Sequence, residues 1–229
     1  MQGNSRPVQS RQAAAHHDLP RLLARHAAHS FRKPAADYSR AAFAAFLAAW
    51  DGRAPLVIDA ACGTGESTLS LARRHPQALV IGVDQSAQRL ARGLALAGDQ
   101  PNALLLRADM VDFWRLLAEQ GLHPAAQYLL YPNPWPKPGQ VMRRWPAHPV
   151  FPTVVALGGR IECRTNWRIY AEEFANAVGF LSGTVVPVEG FAAEQPLTPF
   201  ERKYGTSGHP LYRVVLEAPV VPAPSPAAP

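Results

Sequence analysis

The sequence predicts an α/β fold: a doubly wound, mostly parallel sheet of seven strands whose last strand runs antiparallel. Three observations carry this. From Pro55 onward, short apolar runs alternate with longer helical stretches, the pattern of a parallel sheet covered on both faces. The first apolar run ends in an acid and a glycine turn, Asp59-Ala60-Ala61-Cys62-Gly63-Thr64-Gly65, that leads directly into a helical stretch. With 229 residues, 48% of them hydrophobic, the chain is long enough for one well-buried core and short for two.

Residues 1–36 form a basic arm, expected to be flexible. Arg6, Arg11, Arg21, Arg25, Arg32 and Lys33 stand against the acid Asp18, so most of the net charge of +6 sits there and the remaining chain is nearly neutral. Such an arm suits a polyanion, and otherwise serves as a solvated leader. Phe43, Phe46, Leu47 and Trp50 recur at helical spacing and predict a packing helix over Tyr38 to Trp50. Strands follow at Leu56 to Ile58, Ala78 to Val83, Ala103 to Leu106, Gln127 to Tyr131 and Arg160 to Arg164, with helices at Glu66 to His75 and Ser86 to Ala97. Thr184 to Val188 and Leu211 to Glu217 complete the set of strands, joined by a loop with no crossover helix, which favours an antiparallel ending. The domain thus spans 37–217, and the Pro/Ala-rich tail 218–229 is expected to be extended or disordered.

No apolar run reaches the roughly 18 residues of a membrane span, and the first thirty residues lack an apolar signal core. A soluble, cytoplasmic, monomeric protein with no membrane partner is expected. Cys62 and Cys163 are far apart and lack Cys or His neighbours at ligand spacing, so two buried thiols are expected and no metal.

Acids end three successive strands: Asp59, Asp84 and Asp109. At the carboxyl edge of a doubly wound sheet they line one crevice. Asp59 offers a carboxylate to a cation, Asp84 could accept from a vicinal diol, and Asp109 could accept from an exocyclic amine. Gly63 and Gly65 let the backbone approach a ligand closely. Helix capping is the alternative role for Asp59 and Asp109. A dinucleotide-binding turn would put a third glycine at position 68, which is Thr68, so a dehydrogenase is disfavoured.

After the fourth strand, Tyr131-Pro132-Asn133-Pro134-Trp135-Pro136-Lys137-Pro138 is stiffened by alternating prolines. Asn133 and Trp135 are therefore held where such sheets present reacting groups. Arg143 and Arg144 suit phosphate oxygens, or else begin a solvated helix. The fifth strand ends in Thr165-Asn166-Trp167, a second Asn-Trp step. Either Trp135 or Trp167 could stack a base, and either could instead be core.

Together, Pro132-Asn133-Pro134-Trp135-x-Lys137, Arg143-Arg144, Thr165-Asn166-Trp167, Thr198-Pro199-Phe200-Glu201 and Gly208-His209 resemble, in order, the signatures of the bacterial tRNA (guanine-N7)-methyltransferases. The resemblance runs from about Ala54 to Glu217. It implies a Rossmann-like methyltransferase in which Asp59, Asp84, Asp109 and Asn133 lie where the family binds S-adenosylmethionine. It also implies that Lys137, Asn166 and the stretch from Thr198 to Glu201 meet the guanosine of a tRNA substrate. Asn133 is the candidate catalytic residue.

Asn133 and Asn166 stand where that family usually carries Asp. A carboxylate accepts from guanine N1–H and N2–H together, whereas an amide has one accepting oxygen. Two other readings follow from this departure: a divergent relative that methylates another nitrogen heterocycle or a small molecule, and a non-catalytic RNA-binding protein that keeps the fold.

Overall fold

The computed structural model describes residues 4–29, 31–96 and 100–217; the tail 218–229 lies outside them. The chain begins with α1 (Leu19–Ala28) and α2 (Asp37–Ala49). It continues through β1 (Leu56–Ala60), α3 (Glu66–Arg74), β2 (Leu79–Asp84), α4 (Ala87–Leu96), β3 (Ala103–Arg107) and α5 (Met110–Glu119). Then come β4 (Ala126–Leu130), α6 (Phe151–Ala156), β5 (Arg160–Thr165) and α7 (Arg168–Ser182). The end is β6 (Glu189–Phe191), α8 (Pro199–Thr206) and β7 (Leu211–Glu217). The strands form one sheet in the order β3-β2-β1-β4-β5-β7-β6, and β7 alone is reversed, antiparallel to β5 and β6.

The chain builds outward from β1 to β3 and then returns, pairing β4 with the free side of β1 from Val57↔Ala126 to Asp59↔Tyr128. This reversal opens a crevice beyond the carboxyl ends of β1 and β4. Successive strand residues point to opposite faces. Leu56, Ile58, Ala60, Ile81 and Val83 join Phe46, Phe113, Trp114, Phe151 and Phe174 in the larger core. Val57, Val80, Tyr128 and Leu130 face the smaller core with Leu71 and Leu197. With both faces covered, β1 is buried throughout, as its unbroken apolar run requires.

Three elements differ from the sequence expectation. The arm carries a packed helix: α1 buries Leu19, Leu22, Leu23 and His26 along one face, a helical spacing among the basic residues that seats it on the larger core. Thr184 to Val188 forms no strand, because Pro187 has no N–H to give a ladder; Val185 is 96% exposed, and pairing begins at Glu189 opposite Arg213. The last connection contains a helix, α8, in place of an open loop. Thr198 Oγ1 accepts from the Glu201 amide at 2.9 Å and Pro199 takes the first helical turn, a capping signal present in the sequence.

Candidate active site

The crevice holds a cavity of about 650 Å³. Of the residues singled out from sequence, Asp59, Gly63, Asn133, Arg143, Asn166 and Thr198 line it; Gly65, Asp84, Asp109, Lys137, Arg144 and Glu201 do not. Among the described residues, the three non-glycine residues with left-handed backbone, Ala61 (φ 56°), Tyr131 (φ 50°) and Trp135 (φ 44°), all lie on its wall. Such conformations cost of order 1–3 kcal/mol each and persist where surrounding structure enforces them, so the tips of β1 and β4 are held in bent shapes by their supports.

On the β1 side, Asp59 is 1% exposed, and its Oδ2 accepts from Ser67 Oγ at 2.6 Å and Thr68 Oγ1 at 2.7 Å. Burial pushes its pKa up to about 6 against those two hydrogen bonds, with a smaller push from Asp84. Among the described residues its hydrogen-bond partners are these two hydroxyls, with no cation paired to it. Gly65 sits behind the wall with φ 77°, where a Cβ would meet the Leu105 side chain at 2.7 Å. Gly63 has the same left-handed backbone (φ 63°) but open space where a Cβ would stand, which leaves its backbone free to face a ligand.

Asp84 braces this turn from behind. Its Oδ2 accepts from the Gly63 amide at 2.9 Å, and its Oδ1 accepts from the Ser86 amide at 2.8 Å and pairs with Arg89 at 3.0 Å. Both oxygens are engaged, and Arg89, which sequence reasoning missed, stands on the cavity wall in its place. Asp109 is the N-cap of α5: its Oδ1 accepts from the Val111 amide at 2.9 Å, and Lys33 approaches Oδ2 at 3.5 Å. Asp109 thus takes the helix-capping role that the sequence offered as its alternative.

On the β4 side, Asn133 is exposed at the cavity and its Oδ1 accepts from the Trp135 amide at 3.3 Å, a side-chain turn that shapes the proline loop. Arg143 lies with its guanidinium 4.7 Å from the centre of the Trp135 ring. Arg144 is different: it is fully buried, its Nη1 donates to Glu173 at 2.6 Å and 2.7 Å, and its Nε and Nη2 donate to the Trp135 carbonyl at 3.1 Å and 2.9 Å. Trp167 packs beneath it at 4.8 Å and is 8% exposed. Arg144 therefore fixes the loop and cannot grip phosphate, and Trp167 is core; Trp135 is the tryptophan of the Asn-Trp steps that lines the cavity. Lys137 is exposed at the start of the short 3-10 turn Pro138–Arg143, outside the cavity.

Glu201 lies behind the cavity wall. It is fully buried and accepts from the Leu197 amide at 2.6 Å, Arg164 Nη1 at 2.9 Å and the Tyr131 hydroxyl at 3.2 Å. Burial, with Glu201 beside it, raises the Tyr131 pKa far above that of an ordinary phenol, so the hydroxyl stays a donor. Arg164 also bonds Glu162 at 2.7 Å, and Arg160 reaches the same carboxylate at 2.8 Å. Burial opposes ionisation of Glu162, but the two arginines outweigh it and hold its pKa below the usual carboxylate range. Asn166 donates from Nδ2 to His209 Nδ1 at 3.0 Å. Sequence reasoning missed Gln12, Arg164, Glu173 and Tyr204, each of which has at least one partner distant in the chain: Arg144 for Gln12 and Glu173, Glu201 for Arg164 and Tyr131 for Tyr204.

Away from the cavity, His16, His17 and Asp18 place three ligand-type atoms within 4.8 Å of one another, although His16 Nδ1 already accepts from the Asp18 amide at 3.2 Å. Among the described residues, no helix is long and apolar enough to cross a membrane.

Residues 53–214 match the family described as "Putative methyltransferase". The tRNA (guanine-N(7)-)-methyltransferase of Acidovorax sp. (strain JS42) is 32% identical, with 78% of this chain and 74% of that protein covered. The enzyme of the same name from Verminephrobacter eiseniae (strain EF01-2) is 33% identical, with 74% and 65% covered. A variant of the 16S rRNA (adenine(1408)-N(1))-methyltransferase of Catenulisporales acidiphilia, solved with cosubstrate SAM, shares the fold with a TM-score of 0.52 at 20% identity, over 86% of this chain and 96% of that one. The chain belongs to the bacterial tRNA (guanine-N7)-methyltransferase family.

Proposed function

We propose that the protein transfers the methyl group of S-adenosylmethionine to N7 of a guanine in tRNA, inside the cavity between β1 and β4. The observation that carries this is the buried Asp59 under an open glycine turn, facing a rigid Asn133–Trp135 loop across one cavity. The donor fits these residues. Its ammonium group would supply the counter-charge that Asp59 lacks, and the open space at Gly63 admits close backbone contact. For Asp84 to take the ribose hydroxyls, the Arg89 bridge must swing away, and at 53% exposure of the Arg89 side chain that bridge is weak.

When bound, S-adenosylmethionine supplies an electrophilic methyl group on sulfur. The N7 lone pair of guanine is free, so no residue need remove a proton before attack; the nitrogen–carbon bond forms as the carbon–sulfur bond breaks and its electron pair stays on sulfur. The protein's part is orientation, which can be worth about 7–11 kcal/mol of barrier. Trp135 offers a face to the base, and the product carries a positive charge that an aromatic face favours. Asn133 and Asn166 offer amide groups to the base edge, and Arg143 stands at the rim for a phosphate.

Purified protein with labelled donor is expected to leave label in bulk tRNA as 7-methylguanosine on nucleoside analysis. Label in a different nucleoside, or in a small heterocycle alone, would support the reading that Asn at positions 133 and 166 marks a changed substrate; donor binding without any transfer would overturn catalysis.

A further inference from the structure

Asn166 and His209 deepen the reading just given, on which this inference rests. Asn166 lines the cavity, its Nδ2 is 3.0 Å from His209 Nδ1, and His209 Nε2 is 3.0 Å from the carbonyl oxygen of Ser5. A carbonyl oxygen accepts and cannot donate, so Nε2 must carry a proton. In the neutral ring Nδ1 is then an acceptor, which the NH2 group of Asn166 satisfies and its oxygen could not. The ring is held in place as well. Tyr204 stacks on it at 5.4 Å with 13° between the planes, and the Ser5 N–H donates to Ser207 Oγ at 3.2 Å.

We propose that His209 is a positioning residue that locks the Asn166 amide in one orientation, so that Asn166 Oδ1 faces the cavity as an acceptor for the N–H donors of the guanine edge. This accounts for how an amide serves where the family resemblance implies a carboxylate. Two equivalent oxygens accept in any orientation, whereas one amide oxygen serves only if something turns it the right way. The backbone carbonyl of Ser5 selects the tautomer, which brings the N-terminal segment into the recognition of the base.

The test is a rescue. His209→Phe keeps a ring for Tyr204 to stack on and removes both hydrogen bonds. It is expected to lower kcat/KM for tRNA about tenfold, the worth of one oriented hydrogen bond. In an Asn166→Asp background, which needs no orienting, the same change is expected to cost less than about twofold by the same reckoning. Equal losses in both backgrounds overturn the proposal. A readout independent of activity is proton–nitrogen correlation NMR of the His209 ring. The neutral Nε2–H form is expected in the wild type, with the Nδ1 resonance shifting in Asn166→Ala. An Nδ1–H ring overturns the proposal even if tRNA is methylated, whereas an Nε2–H ring in a protein that leaves tRNA unmethylated upholds the amide orientation and removes guanine as its target.

Discussion

The two walls of the cavity are built in opposite ways. The β1 wall is largely local: Asp59, its hydroxyl partners Ser67 and Thr68, and the glycine turn fall within ten residues of one another, and Asp84 with its partner Arg89 comes from further off. The β4 wall is assembled from a distance. The Trp135 carbonyl rests on Arg144, which rests on Glu173 of α7 and Gln12 of the N-terminal segment, while Tyr131 rests on Glu201 of α8 and through it on Arg164 of β5. A local wall tolerates changes elsewhere, whereas a wall of buried ion pairs fails when any one partner is lost.

The sharpest way to break the contrast is Glu173→Gln. It leaves the Arg144 guanidinium buried without its counter-charge, and a loss of about 3–5 kcal/mol is expected by denaturant unfolding, with Trp135 fluorescence changing in whatever remains folded. A loss below about 1 kcal/mol, the range of an exposed pair, would mean that the β4 wall does not depend on this pair. Asp59→Asn tests the local wall. Donor affinity should fall at least tenfold, or about 1.5–3 kcal/mol for a charged hydrogen bond, with little change in fold. The pH dependence has a definite sign. Because burial raises the Asp59 pKa to about 6, folding favours its protonated form; that contribution is complete below the ordinary value near 3.8 and is lost as pH rises through 6. Donor affinity should run the other way, rising through pH 6 as the carboxylate ionises, and both slopes should flatten in the variant when followed by thermal melts and calorimetric titration.

Smaller effects refine the picture. Thr198→Ala removes the cap of α8 at a cost of about 1 kcal/mol, and because α8 carries Glu201, calorimetry should find the loss accompanied by a weaker hold on Tyr131 and lower kcat. Arg89→Ala opens the half-exposed bridge to Asp84. Stability should move by less than about 1 kcal/mol, and donor affinity should stay level or rise slightly in equilibrium titration; a large fall would make Arg89 a direct ligand of the donor.

The same division explains what could be read from the chain alone. Asp59 and Gly63 were readable because strand, turn and helix are contiguous and each residue type answers a local need. Arg143 and Arg144 look alike in sequence, yet Arg143 ends a 3-10 turn and Arg144 follows it in extended conformation, so the two side chains go different ways. One covers Trp135 at the surface and the other enters the core; the deciding partner, Glu173, is 29 residues away. The surroundings of Glu201 were illegible for the same reason, since its charge is answered by Arg164, which no spacing rule connects to it. Asp109 was decided by competition between two valid uses of a carboxylate at a strand-to-helix junction, and the helix took it. The displaced β6 and the unforeseen α8 had signals in Pro187 and in the pair Thr198 and Glu201, both local and both overlooked in favour of the apolar pattern.

Ser5, Ser10 and Gln12 are stitched to Ser207 and His209, to Pro136, and to Arg144 and Glu173. Every one of those anchors leaves the ribosome at least 120 residues after the segment it secures. Residues 5–12 must therefore wait, unanchored, until those partners have emerged, and contacts of such long separation form late. Its arrival is the closing stitch of folding, and pulse-labelled amides at residues 5–12 should be the last of the described residues to gain protection.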